Sequence, residues 1–301
     1  MFYEHPLFKR EIRPQAKLDS AIVVLNPAES KRLIAKAIAV LPEVKAALQK
    51  GTLIIGWGTT TVFVAEEILG KAFTQKNDFI HGVVSEGELT INDETRVFPF
   101  VLQDGKPSEM HQKAALQGFK PGDVFIKGAN AVDTRGDIGI LVAADFGGAI
   151  YHAWFAVTGR GGCFICPVGL EKLIPSVRDA AQKCGIFRFK HSMGVPISFV
   201  TFSTAKVVTE IEAIKILTGA DAHHVASGGI GGSEGAVTLV VEGETNILER
   251  SFELVKSVKG EPSFPPPKKY SVPPAASVNY DPTILSHAAQ KHLADIASKV
   301  Y

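Results

Sequence analysis

Cysteine is scarce. The 301 residues include only 3, Cys163, Cys166 and Cys184, an odd number and too few for the disulfide framework of a small secreted domain. Cys163 and Cys166 form a CxxC inside the apolar run 162–168. Residues three apart on a strand face opposite sides, and no second CxxC accompanies this one, so both read as small core residues and no metal site is expected. Excess charge is missing as well: 32 Lys and Arg stand against 31 Asp and Glu, a net +1, which gives no overall attraction to nucleic acid or to an anionic membrane. No run reaches the roughly 18 apolar residues of a membrane helix. The charge-free stretch 146–159 is shorter and contains His152. Residues 1–6 lack the basic start and apolar run of a signal peptide. The expectation is a cytoplasmic protein with neither nucleic acid nor membrane as partner. HExxH is absent, and the adjacent His223 and His224 would face opposite sides of a strand.

What is present is apolar material, 46% of the residues, in a chain long enough for about two domains. Asn26-Pro27-Ala28-Glu29 has the form of a helix start, with Asn26 as N-cap, Pro27 at the first helical position and Glu29 completing a capping box. The apolar spacing of Leu33, Ile34, Ala37, Ile38 and Leu41 carries that helix to about Val40. The run 51–70 then reads as buried strand, Gly/Thr turn and amphipathic helix ending at Gly70. Further α/β units begin at Asp123 and Cys163. Strands and turns at 80–107 suggest an antiparallel edge or insertion.

This alternation predicts an α/β fold: a Rossmann-like, mainly parallel sheet with helices on both faces, over residues 1–195. Residues 196–260 read as helix, hairpin and helix, a small C-terminal α+β domain of the ferredoxin-like kind, whose missing strand is sought at 197–201. Residues 261–280, rich in proline, read as an extended linker. Residues 281–301 read as a C-terminal helix that docks on its own domain or on a neighbouring subunit. A homo-oligomer is expected.

Chemistry is sought first at Gly56-Trp57-Gly58-Thr59-Thr60-Thr61, between a strand and a helix. Glycines allow close backbone approach, amides at a helix start converge, and hydroxyls add donors, so Gly56, Gly58, Thr59, Thr60 and Thr61 form a candidate anion-binding loop. A tight turn capped by threonine is the plainer alternative. The loop lacks the lysine of a Walker A motif, and Thr61 occupies the third glycine place of GxGxxG, so neither a nucleotide nor a nicotinamide cofactor is expected. The glycine-rich turn 228–235 reads as a mobile hairpin tip.

The run 54–61 followed by Val64-Ala65-Glu66-Glu67, together with Asp123-Val124-Phe125-Ile126-Lys127-Gly128-Ala129-Asn130-Ala131-Val132-Asp133, resembles the superfamily of ribose-5-phosphate isomerase, glucosamine-6-phosphate deaminase, sugar-phosphate sensor domains of bacterial repressors, and CoA transferases. The resemblance covers Leu18 to Lys183. It implies that the first loop holds a phosphate or lies near CoA, and that the second places an acid in the cleft. It adds Lys127, Gly128 and Asn130 as ligand-binding candidates and Asp133 as a catalytic acid or base. Glu86, between a short apolar strand and a glycine, resembles the nucleophilic glutamate of CoA transferases. Asn130 stands where the isomerase-like turn carries an acid, and an amide cannot act as a general base. The functional expectation is therefore a binder of a small anionic metabolite, phosphorylated or CoA-type, with isomerase, deaminase or acyl-transfer chemistry if it is an enzyme. A non-catalytic ligand sensor or oligomeric assembly protein is the alternative.

Overall fold

The computed structural model describes residues 18–92, 97, 99–143 and 148–268. In chain order the elements are β1 (Asp19–Leu25), α1 (Pro27–Val40), α2 (Pro42–Gln49), β2 (Thr52–Ile55), α3 (Thr59–Leu69), β3 (Gly82–Ser85), β4 (Glu88–Ile91), β5 (Phe100–Gln103), β6 (Lys106–Ser108), α4 (Gln112–Gln117) and β7 (Val124–Ile126). There follow β8 (Ala131–Val132), β9 (Ile138–Val142), α5 (Gly148–Arg160), β10 (Cys163–Pro167), α6 (Val177–Ala181), β11 (Ser198–Phe202), β12 (Lys206–Val208), α7 (Glu210–Thr218), β13 (Asp221–Ser227), β14 (Val237–Gly243) and α8 (Thr245–Ser257).

Several of these boundaries follow from local chemistry. The capping box at Asn26 and Glu29 forms as the sequence predicts, and Pro27 occupies the first turn of α1. Gly70 ends α3 in the left-handed conformation, φ 62°, which glycine adopts without steric penalty.

The central sheet has six strands in the order β12-β10-β7-β2-β5-β6. The first four are mutually parallel, and β5 and β6 add an antiparallel edge beside β2. In-register rows such as Ile55, Ile126 and Ile165 cross the parallel strands. The pleat divides the core. Leu53, Ile55, Val124, Ile126, Ile165 and Val208 pack with α1, α2, α3 and α7 on one face. Ile54, Phe125, Phe164, Cys166 and Val207 pack with α4 and α5 on the other. A strand with both faces covered must be apolar at every position, which is why these runs carry no alternation.

The expected division at 195/196 does not coincide with the sheets. The strand sought at 197–201 forms as β11, but it pairs antiparallel with β9 in the three-stranded sheet β11-β9-β8. That register carries Phe202, 4% exposed, against Phe164 at 4.9 Å between ring centroids. The segment expected to continue the second α/β unit as a strand, β9, is thus not in the central sheet. The partner of the C-terminal hairpin is instead the N-terminal β1, paired antiparallel with β14 over Asp19–Leu25 in the sheet β1-β14-β13. Val23 and Leu25 point inward while Ile22 and Val24 are exposed, the half-buried alternation of an antiparallel sheet covered on one face. From the other side of the boundary, β12 completes the central sheet.

The proline-rich stretch begins as a docked segment. Glu261 pairs with Arg32 at 2.9 Å, and Phe264 meets Phe63 edge-on at 5.5 Å. Arg32 also bonds Glu66 and Glu67, and its guanidinium lies 4.6 Å from the Phe63 ring centre. Residues 269–280 and the expected helix 281–301 lie outside the described residues. No helix among the described residues is long and apolar enough to cross a membrane.

Candidate functional site

The loop between β2 and α3 is tied down more tightly than a loop awaiting a ligand requires. The Gly56 amide donates to the Ile126 carbonyl at 2.8 Å and the Gly58 amide to the Phe79 carbonyl at 3.3 Å. The Thr61 hydroxyl donates to the Gly58 carbonyl at 3.0 Å, and the indole of Trp57 donates to the Val97 carbonyl at 2.7 Å. Thr60 and Thr61 are 2% and 1% exposed. The cavity beside the loop has a volume of only ≈ 10 Å³ and is otherwise lined by Ile55, Val62, Phe79, Pro99 and Phe100. It is apolar and smaller than a phosphate group.

Free donors remain at the start of α3. Gly58 is the N-cap at φ 155° and offers no side chain to cap the helix. Among the described residues the amides of Thr59, Thr60 and Thr61 donate no hydrogen bond to the protein, and no acid stands in this first turn. A helix end in that state carries partial positive charge.

Around this helix end, a series of side-chain clips crosses the carboxyl ends of the parallel strands. Lys127, just after β7, donates from Nζ to the Trp57 carbonyl of the next loop at 2.9 Å. Lys172, in the loop after β10, donates from Nζ to the Ala129 carbonyl, again one strand over, at 3.0 Å. Glu210, at the start of α7 after β12, accepts the Leu170 amide at 2.9 Å. Neither lysine forms an ion pair among the described residues.

Burial sets the titration of all three. It pushes Lys127 down to about 8, with the nearby Lys172 cation adding to the effect. Lys172 is likewise lowered, by burial first. Glu210, 0% exposed, is raised to about 7 by burial against the opposing pull of Ser30 and the Leu170 amide. Glu210 Oε1 and the Ser30 hydroxyl are both buried without a hydrogen bond of normal geometry.

Gly56 has a particular role in this arrangement. A Cβ at Gly56 would stand 2.9 Å from Lys127 Cδ, so the lysine stem reaches the Trp57 carbonyl only because residue 56 has no side chain. Gly128 is less confined, its Cβ position 3.4 Å from the Pro167 carbonyl.

The other expected residues are placed elsewhere. Asn130 is exposed, and its Oδ1 accepts the Leu141 amide at 3.0 Å. Asp133 is 1% exposed, and its carboxylate accepts the amides of Arg135, Asp137 and Val177. This pins its own turn to the start of α6. Glu86 is exposed at the two-residue turn of the separate β3–β4 hairpin, at φ 51° followed by Gly87 at φ 79°. The structure thus brings Lys127 to the Gly56–Thr61 loop, sets Gly128 beside Pro167 of β10, and sets Glu86 on a different sheet. Lys172 and Glu210 were not among the expected residues. Their one legible signal was position, each just beyond the end of a buried strand.

Cys163 and Cys166 pack toward opposite faces of the sheet, and all three cysteines are free. Burial pushes the Cys166 thiol up to about 12, so it stays a thiol at neutral pH. Among the described residues no cluster of three or more His, Cys, Asp or Glu is disposed to hold a metal. No family model matches the chain, and no curated protein or solved structure shows significant similarity to it.

Proposed function

We propose that the chain binds a small anionic molecule, phosphorylated or CoA-type, at the carboxyl edge of its parallel strands, on a Rossmann-like unit joined to a ferredoxin-like layer. The supporting observation is Lys127, an amine without an acidic partner held to the residue that precedes the uncapped end of α3. A cation and free helix amides side by side favour an anion for the same electrostatic reason. Thr59, half-buried, adds a hydroxyl at that place. The carboxyl edge is also where open α/β sheets take their ligands.

A second reading, ligand sensing or assembly without catalysis, is favoured by the disposition of the acids. Asp133 is engaged by three amides, and Glu86 belongs to another sheet. In addition, α5 exposes Tyr151, Trp154 and Phe155 at 48%, 40% and 51%, an uncharged aromatic face suited to another protein surface.

Calorimetry of the full chain with inorganic phosphate, ribose 5-phosphate and CoA tests both readings. Binding of at least one is expected, weakened about 10- to 100-fold in Lys127→Met, the range of a hydrogen bond to a charged group. Affinity should fall as pH rises through about 8, where Lys127 loses its proton. Absence of binding, or unchanged affinity in the variant, overturns the anion site. Binding with no turnover of the bound compound supports the second reading.

A further inference from the structure

We infer that Lys127 is a carbonyl-reactive amine, whose Nζ condenses with the aldehyde or ketone of a small molecule carrying its anionic group on the first turn of α3. The inference deepens the anion-binding reading and rests on it for the position of the anion.

A lysine ammonium has three donors, and a surface lysine satisfies them with water or a carboxylate. Lys127 uses one, on the Trp57 carbonyl, and no carboxylate among the described residues pairs with it. Its stem is confined over Gly56, with Cδ 2.9 Å from where a Cβ would be, so the amine is positioned by packing rather than free to sweep the surface. The residue as a whole is half-buried. A second cation is held one strand away by its own bond to Ala129. Desolvation together with a neighbouring cation is the environment that keeps a fraction of a lysine neutral and nucleophilic near neutral pH. The low titration point of Lys127 agrees with that geometry. The competing nucleophile of this cluster, Cys166, is 0% exposed and stays a thiol.

The chemistry is balanced without any further reactant. The Nζ lone pair attacks the carbonyl carbon and forms a C–N bond. The carbonyl π pair goes to oxygen, which takes a proton transferred from nitrogen and becomes a hydroxyl. That hydroxyl leaves as water after a second protonation, giving a protonated imine. The uncapped amides of α3 hold the anionic end meanwhile, and so favour carbonyl compounds that also carry phosphate or a similar group. None of the acids weighed from the sequence has to act in this step.

The probe is glycolaldehyde phosphate with sodium cyanoborohydride, whose hydride reduces the imine carbon and fixes a stable secondary amine on the full-length chain, located by peptide mass mapping. With limiting aldehyde, Lys127 should carry at least about ten times the modification of exposed lysines such as Lys50 and Lys71. Excess inorganic phosphate should suppress the Lys127 adduct and leave the others, and Lys127→Arg should lose only that adduct. An adduct spread over the exposed lysines with Lys127 unmodified overturns the inference, and this result needs no variant to fold. The two readings fail separately. Phosphate binding that depends on Lys127, without an adduct, retains the anion site and removes the amine chemistry. A Lys127 adduct formed equally by glycolaldehyde, with no phosphate binding, retains the nucleophile and removes the anion site.

Discussion

Replacing Glu210 by glutamine isolates the energetic effect of one buried charge. The carboxyl is fully enclosed, one oxygen accepts the Leu170 amide, and the other faces the equally orphaned Ser30 hydroxyl without a normal hydrogen bond. Burial raises its pKa from 4.5 to about 7. Below pH 4.5 the group is protonated in both the folded and the unfolded chain and contributes no difference. Between those values the unfolded chain ionises while the folded one keeps its proton, so the native state binds more protons and stability declines as pH rises. Above about pH 7 the full penalty is present, about 3 kcal/mol at roughly 1.4 kcal/mol per tenfold change in proton affinity. Glutamine keeps the shape and the acceptor for Leu170, and brings an N–H that can reach Ser30, with no charge to desolvate. Glu210→Gln should therefore match the native protein near pH 4.5 and exceed it by up to about 3 kcal/mol at pH 8.5, on the order of 5–10 °C in Tm for a chain of this size. Urea denaturation of both proteins across that range gives the difference curve, in which groups common to the two cancel. Parallel pH profiles, or a variant less stable at pH 8.5, would refute the burial argument.

Two further perturbations test the supports of the site and of the fold. Gly56→Ala places a methyl where Lys127 Cδ now passes at 2.9 Å; it should cost about 1–2 kcal/mol through overpacking while lowering anion affinity as far as Lys127→Met does, and calorimetry showing native affinity would break the link between the two residues. Arg32→Ala takes the guanidinium from the buried Glu66, 3% exposed, and from Glu261, leaving Lys76 Nζ at 3.2 Å and 3.4 Å as the cation both still face. It should destabilise the chain by about 2 kcal/mol, the range of a hydrogen bond to a charged group, and speed amide hydrogen exchange at Ser263 and Phe264, whereas unchanged stability and exchange would show the 261–268 docking to be independent of Arg32.

Much of the local structure was legible because local chemistry decides it. The Asn26–Glu29 capping box, the stop at Gly70 and the apolar runs of β2, β7 and β10 each involve residues within a few positions of one another. The same holds for the opposite-facing cysteines, which depend only on the two-residue period of a strand. Pairing over long separations was not legible. The strands β1 and β11 are both short and apolar, and nothing within either states that Val23 will meet Leu239 or that Phe202 will lie on Phe164. Those choices are made by which face each strand can bury once the central sheet is in place.

The candidate site divides along the same line. The amino-acid sequence by itself determined that a glycine- and threonine-rich turn links a buried strand to an amphipathic helix, and that Lys127 follows another such strand. Only the tertiary structure decided what those residues can do. It closed the Gly56 and Gly58 amides with the Ile126 and Phe79 carbonyls, drew Asp133 into its own turn, and carried Lys127 and Lys172 each one strand sideways to a neighbouring loop. Adjacent parallel strands lie far apart in sequence but about 4.8 Å apart in space, so contacts across their carboxyl ends, and the loss of solvent that shifts Lys127 and Glu210, exist only in the folded sheet.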